Sequence, residues 1–524
     1  MRKQTKLVAV LSAAALLAIG ASMTSMAATG WTQEDGQWYY YNNSGDYVYD
    51  EWKKSGNSYF YLGDDGSMMT NALIQDGDNY YYVDANGAMV KNQWIQIAAD
   101  DSEDQDVEYR WYYFGSTGRA YRATNNFSKK TINGKKYAFD SEGKMLFGFV
   151  TEDGTMTNED ADPVLQAAYY FGTNEDGAMH TGWLNYTEGL DDAEYDDKDS
   201  LWIYYNPSNG EKVVNKEKKV NGYTYLFDEN GIMKSDWQQA SGSTSNKYFN
   251  GDDQGWMEKK SWVWAVPSEQ INAEDNENDT YRWFYVGSDG VTVANESKRI
   301  NGKWYTFNAD GIMQSGLVTL SENKISSGKD GAKYESSFDV DDGADADAVY
   351  EAAANGAYIY YFGDEETDGA MKTGSSVKVE LADDTYTMGF AKTGLAFDGI
   401  ENNKLYRGGI LQTAGDMRYD VKHDTEGNYY VVGSSGTIVK AKSVAKDADD
   451  NYYAVEAKGT DSSKPATIYK VSASDDAAKI ARYMAKSTKW PQEDGVDKTV
   501  ELDGEEYTSR ADLIAKRAVA TYNE

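Results

Sequence analysis

The sequence contains no cysteine. Disulfides and thiolate chemistry are excluded, so the fold must hold by packing alone. Histidine is almost absent, with only His180 and His423. That argues against histidine-rich metal centres and most histidine-dependent catalysis. Basic residues are outnumbered: 51 lysines and arginines face 86 aspartates and glutamates, a formal net charge of −35. Such a surface repels phosphate backbones and anionic lipid, so nucleic acid is not an expected partner. Cationic ligands or neutral sugars suit it better. Beyond the N-terminus no apolar run is long enough for a membrane span. What the chain does have is aromatic surface, 43 tyrosines and 14 tryptophans in 524 residues. It is too aromatic for disorder and too polar for one large core.

The N-terminus reads as a secretory signal peptide over residues 1–27. Arg2, Lys3 and Lys6 form a positive head, Leu7 to Ala21 an apolar stretch, and Ser25-Met26-Ala27 a small-residue cleavage site. The apolar stretch is shorter than the ~20 residues a span needs. The expected location is therefore secreted and cell-surface associated.

From residue 28 to 440 one phrase recurs. Gly45, Gly66 and Gly87 are 21 residues apart, as are Gly210 and Gly231, Gly290 and Gly311, and Gly394, Gly415 and Gly436. Aromatic runs such as WYYYNNSG, YYYVDANG and WYYFGSTG lead into the glycine, and AMVKNQW, AMHTGW and IMKSDW lead out. Tyr, Phe and Trp favour strands, whereas Asp, Asn, Ser and Gly supply turns. Each unit thus reads as a β-hairpin spanning the glycine, from aromatic run to outgoing tryptophan. A lone hairpin is barely stable, but a series can bury its aromatic faces on its neighbours. The expected fold is all-β, a solenoid of stacked β-hairpin repeats with a short helical C-terminal segment.

The pattern GW, then WYYF, then G-x-M-x-T-G-W resembles the cell-wall-binding, or choline-binding, repeats of Gram-positive surface proteins. It is similar also to the glucan-binding repeats of streptococcal glucosyltransferases and to the repetitive domains of large clostridial toxins. INGKKYAFDSEGKMLFGF (Ile132 to Phe149) is the most toxin-like phrase. The resemblance implies a non-catalytic protein that binds cell-wall teichoic acid or another polysaccharide, with choline as the first expected ligand. It places pockets where an outgoing Trp meets the first aromatic of the next run and a Tyr two residues on. Carried over, the cages are Trp31 with Trp38 and Tyr40; Trp52 with Tyr59 and Tyr61; Trp94 with Trp111 and Tyr113; Trp183 with Trp202 and Tyr204; and Trp262 with Trp283 and Tyr285. The outgoing position departs from this pattern at Leu73, Phe149 and Leu317. Two alternatives stand beside choline: a glucan or host glycan on the same rings, and a surface spacer whose rings are all internal.

No nucleophile motif, metal-ligand spacing or phosphate loop appears, so no enzyme activity, cofactor or metal is expected. His180 reads as a surface residue. Acidic inserts lengthen several units: Ala98 to Glu108, Glu188 to Ser200, Ser268 to Thr280 and Asp339 to Ala348. They are expected between an outgoing tryptophan and the next aromatic run. The last of them lacks EF-hand spacing. Residues 441–524 read as a divergent last hairpin (NYYAVEAKG) and a helical cap. One helix is expected from Ser474, with Ala477, Ile480, Ala481 and Met484 on one face. A second is expected from Ser509, with Asp512 closing a capping box.

Overall fold

A computed structural model describes residues 29–523, except 100–106, 158–162, 188–194, 196–197, 199, 252, 327–330, 364–368 and 458–464. The signal segment and most of the first two acidic inserts lie outside the described residues. The chain divides into two compact units, Met1–Asp236 with Phe249–Met257, and Trp237–Tyr248 with Glu258–Glu524.

The first unit is a series of antiparallel hairpins. Gly30–Glu34 pairs with Gln37–Tyr41, Glu51–Ser55 with Ser58–Leu62, and Ala72–Asp76 with Asn79–Val83. Gln93–Ala98 with Tyr109–Phe114, Ser128–Ile132 with Lys135–Phe139, Gly182–Tyr186 with Leu201–Tyr205, and Lys216–Val220 with Tyr223–Phe227 follow the same rule. The second unit continues it with Ser261–Ala265 on Arg282–Val286 and Glu296–Ile300 on Lys303–Phe307. The chain is all-β in the expected sense, but each hairpin is offset from the sequence reading. The strand that begins at the tryptophan pairs with the aromatic run after it, not with the run before it. In three hairpins the tip is an Asn-Gly pair: Asn133-Gly134, Asn221-Gly222 and Asn301-Gly302 have φ of 49° and 83°, 50° and 96°, and 49° and 88°. Two consecutive positive φ values make the turn whose twist matches paired strands. The acidic insert at 268–280 therefore lies inside one hairpin, between Ser261–Ala265 and Arg282–Val286, and those at 98–108 and 188–200 fall in sequence between paired strands, whereas the one at 339–348 joins Tyr334–Ser337 to Tyr358–Tyr361, which flank Leu317–Leu320.

The glycine that marks the repeat belongs to a second turn. In this turn an Asp or Asn carboxyl or amide oxygen accepts backbone N–H groups two and four residues on. Asp84 takes Asn86 and Ala88 at 2.8 and 3.0 Å, and Asp228 takes Asn230 and Ile232 at 3.0 and 2.8 Å. The segment leaving this turn stitches successive hairpins together. Met68 donates its N–H to Trp38 O of the preceding hairpin at 2.7 Å, and Met69 donates to Tyr61 O of its own at 2.9 Å. Met89 and Val90 repeat the step onto Tyr59 and Tyr82, and Met233 and Lys234 onto Trp202 and Leu226. Alternate amides thus point at two hairpins, which is what makes the series a stack.

The turn glycine is required for space as well as for φ. A Cβ on Gly118 would lie 2.4 Å from the Met89 sulfur, and one on Gly255 would lie 2.2 Å from that of Met233. Each outgoing methionine packs on the turn glycine of the following unit. In one unit Lys212 takes this role beneath Gly231, and its Nζ donates to Val164 O and Leu165 O at 2.7 and 3.0 Å. Burial pushes its pKa down to about 8.

Residues 441–523 hold both expected helices, Ala477–Met484 and Arg510–Arg517. They pack on a four-stranded antiparallel sheet that the sequence reading did not foresee: Val444–Lys446, Tyr452–Glu456, Thr467–Val471 and Ala518–Tyr522. Ala477, Ile480, Ala481 and Met484 are buried against Val471, Leu502, Tyr507 and Leu513. The first helix has Asp476, not Ser474, at its N-cap position, with no side-chain capping hydrogen bond. Ser509 caps the second, accepting from Asp512 N–H at 3.1 Å, but Asp512 reaches back to Thr508 N–H. Between the helices and the sheet, Glu456 is clamped by Lys486 and Arg510.

The acidic insert around Asp339 uses its carboxylates locally. Asp339 accepts from Asp341 N–H at 2.9 Å, and Asp345 caps the helix Ala346–Ala354. Among the described residues no cluster of three or more His, Asp or Glu is placed to hold a metal ion, and no helix is long and apolar enough to cross a membrane.

Candidate aromatic cages

Within each Trp hairpin, register fixes which rings share a face. Trp94 stands opposite Tyr113, and Gln96 opposite Trp111. Side chains two apart lie on one face, so Trp94, Trp111 and Tyr113 are brought together across the ladder. Trp94 meets Trp111 at 6.2 Å and 90°, and Tyr113 at 5.1 Å and 64°. The same figure recurs twice. Trp183 meets Trp202 at 6.1 Å and 86° and Tyr204 at 5.0 Å; Trp262 meets Trp283 at 6.1 Å and 88° and Tyr285 at 5.2 Å.

A further ring comes from the following hairpin, and the sequence reading missed it. Tyr137 lies 4.9 Å from Trp94, Tyr225 4.8 Å from Trp183, and Tyr305 4.8 Å from Trp262. Phe139, Phe227 and Phe307 back the same tryptophans at 5.7 to 6.0 Å. Met145, Met233 and Met313 join the three clusters. All nine residues come from one phrase, INGKKYAFDSEGKM, VNGYTYLFDENGIM and INGKWYTFNADGIM, each following a Trp hairpin. That recurrence was the available signal.

At the first of these cages an open pocket is lined by Trp94, Trp111, Tyr137, Met145, Glu175 and Asp176. Tyr113 is not part of the lining; it packs between Trp94 and Tyr121, the latter at 5.0 Å. The Trp111 indole N–H is buried and has no acceptor among the described residues. At the second cage the corresponding Trp202 N–H donates to Asp253 at 3.3 Å. Two perpendicular indoles, a phenol, a thioether and nearby carboxylates make a surface that attracts a cation without a hard ligand. Burial holds the Tyr137 and Tyr225 hydroxyls above the ordinary tyrosine pKa, so both rings stay neutral at neutral pH.

The first two expected cages are built differently. Trp31 touches Tyr40 and Phe60, both at 5.4 Å, and Trp38 makes no ring contact with it. Lys53 Nζ lies 5.3 Å from the centre of the Tyr40 ring. Trp52 touches Tyr61 and Tyr81 at 5.1 and 5.2 Å, while Tyr59 faces outward under Lys54 and Lys91, at 5.7 and 5.3 Å. In these two hairpins the protein's own ammonium groups sit over the aromatic faces. Among the described residues no lysine or arginine is placed over the expected rings of the other three cages, Trp94, Trp111 and Tyr113, Trp183, Trp202 and Tyr204, or Trp262, Trp283 and Tyr285. His180 is half-buried, not a plain surface residue: its ring packs 5.9 Å from Tyr170 and 5.7 Å from Tyr205, and Nε2 contacts Trp183 O at 3.1 Å.

Two family models match segments of this architecture. Residues 28–72 and 52–94 match a choline-binding repeat, and residues 218–233 and 298–313 match a putative cell wall binding repeat. These four segments match cell-wall-binding repeats of the choline-binding type. The latter two segments contain Tyr225 with Met233 and Tyr305 with Met313, the parts that close two of the cages. Glucosyltransferase-I of Streptococcus downei is 24% identical over 396 residues, covering 64% of this chain and 23% of that enzyme. Glucosyltransferase-S of Streptococcus mutans is 26% identical over 338 residues, covering 62% and 20%. The chain thus spans less than a quarter of these relatives. Among solved structures, CbpJ of Streptococcus pneumoniae aligns at TM-score 0.36 and 16% identity over 66% of this chain and 99% of that one. Choline binding protein F of the same organism aligns at 0.29 and 18% over 71% and 99%. The choline-binding repeats here are therefore recognised by their sequence segments, and their geometry is that of the hairpins above.

Proposed function

We propose that this is a secreted, non-catalytic surface protein that attaches to the bacterial cell wall by holding choline groups of teichoic acid in the cages at Trp94, Trp183 and Trp262. The observation that carries this reading is the threefold recurrence of one cage, Trp, Trp, Tyr and Met from two successive hairpins. A quaternary ammonium over an aromatic face gains ~0.5–2 kcal/mol per ring. Three rings give a site near millimolar, about 4 kcal/mol. Several such sites on one chain bind a polymer far more tightly than one site binds free choline. Glu175, Asp176 and Asp253 add negative potential suited to a trimethylammonium group.

A second reading, glucan as the ligand of the same cages, is favoured by the similarity to two glucosyltransferases. Retention on a choline-substituted resin, with elution by free choline, tests the first reading. A chain that passes through that resin but is held on dextran overturns it in favour of the second. One held by neither leaves the rings as hairpin packing.

A further inference from the structure

Hairpin Ser261–Ala265/Arg282–Val286 differs from its two counterparts on one strand. At the position opposite the second cage tryptophan, the others carry Gln96 and Asn185; this one carries Trp264 opposite Trp283. Trp264 is 46% exposed, and Tyr281 beside it is 52% exposed. Their rings lie 5.9 Å apart at 27°, and Trp264 meets Trp283 at 5.0 Å and 42°. The result is an outward strip of three rings, with Tyr281 closer to parallel with Trp264 and Trp283 tilted from it by 42°. Its inner end, Trp283, is also a wall of the Trp262 cage. In the hairpin of Trp94 the corresponding Tyr109 stands at 88° to Trp111, and no such strip forms.

The strip is held in place. Arg282, next to Tyr281, makes a two-pronged ion pair with Asp275 at 2.8 and 3.0 Å, pinning the acidic insert to the strand. Asn272 caps the short helix Ala273–Glu277 within it, and Asn276 donates to Pro267 O at 2.9 Å. Trp264 packs on Tyr281 and Trp283, yet Trp264 and Tyr281 leave about half of their surface in solvent. A quaternary ammonium favours an enclosing cage, whereas flat rings offer their faces to the C–H face of a sugar. The loop before Tyr281 carries exposed Glu277 and Asp279. Those carboxylates repel anionic polymers and lipid surfaces but accept hydrogen bonds from neutral hydroxyls.

We propose that Trp264, Tyr281 and Trp283 form a stacking platform for a pyranose ring of a neutral polysaccharide, adjoining the Trp262 cage. The site shares Trp283 with the Trp262 cage, otherwise lies outside the three cages, and takes a different chemical class of ligand. The test uses the full chain with two neutral probes, dextran and chito-oligosaccharides, followed by affinity electrophoresis and tryptophan fluorescence. Trp264→Gln, which installs the residue of the Trp94 hairpin, is expected to weaken binding of at least one probe by about tenfold. Trp264→Tyr retains most of it, and Tyr281→Ser weakens it in the same direction. Choline retention stays unchanged in all three, and circular dichroism checks their fold. Equal binding of both probes by wild type and Trp264→Gln overturns the platform, as does wild type ignoring both. A chain that ignores choline yet loses a glycan with Trp264→Gln keeps the platform and removes the choline reading.

Discussion

The hairpins of Trp52 and Trp183 use the same repeat and reach opposite ends. In the first, Tyr59 turns outward and two lysines cover its face. In the second, Trp202 stands across from Trp183, Tyr225 closes from the following hairpin, and Asp253 takes the indole N–H. Both bury a tryptophan against the next unit, so both stabilise the stack. The difference lies in what remains over the rings. A ring already covered by a side-chain ammonium has less attraction left for a ligand cation, whereas an indole pair flanked by carboxylates retains all of it.

The largest expected effect comes from removing the perpendicular wall. The triple variant Trp111→Ala, Trp202→Ala and Trp283→Ala should abolish retention on a choline resin with little change in circular dichroism. Trp38→Ala with Tyr59→Ala should leave retention near wild type. Equal losses from both sets would erase the distinction between the two kinds of hairpin. A single Trp202→Ala should cost ~1–2 kcal/mol per site, read by calorimetry with choline.

Next is the glycine beneath the cage. Gly255→Ala puts a Cβ against the Met233 sulfur at a φ of +60°. It should destabilise by ~1–3 kcal/mol and loosen the Trp183 cage, seen as a lower unfolding midpoint with weaker choline binding. Gly36→Ala, where a Cβ meets no atom within 4 Å, should lower the midpoint less and leave choline binding alone. Removing the built-in cations works in the other direction. Lys53→Met with Lys54→Met and Lys91→Met should add weak choline sites, raising the measured stoichiometry; an unchanged stoichiometry would mean that lysine cover is not what separates the two classes.

The smallest effect concerns Lys212, which takes a methionine's place beneath Gly231. Its folded pKa of about 8 lies below the unfolded value of about 10.4. Below about pH 8 both states carry the proton and the burial penalty is full. Between the two values the unfolded chain binds more protons, so stability rises with pH. Lys212→Met should remove that rise; the tyrosines whose pKa is raised by burial act in the opposite sense in both proteins. Parallel melting curves across this range would show that Lys212 contributes nothing to it.

Much of the fold was legible in the residues. The aromatic runs are strands, the Asp-x-x-Gly and Asn-x-x-Gly phrases are turns, and Ser509 caps its helix. The pairing was misread because the repeat was anchored on the second turn. Asn133-Gly134, Asn221-Gly222 and Asn301-Gly302 are the stronger hairpin signals, and they place the strand partners correctly. The four-stranded sheet of residues 441–523 was harder to see. Its last strand, Ala518–Tyr522, continues a helix without a break and finds its partner Thr467–Val471 some fifty residues earlier.

By itself the sequence determined the kind of protein: a repeated, cysteine-free, acidic chain of aromatic hairpins with the rings needed for weak cation or sugar binding. Only the tertiary structure decided which rings meet. Trp94 and Tyr137 belong to different hairpins, and their contact depends on two turns and on the backbone stitch between units. A shift of one residue in either register would turn the ring to the other face. Whether a lysine covers a ring is decided in the same way. Lys91 reaches Tyr59 from the segment that stitches the next hairpin on, and composition carries no trace of that approach.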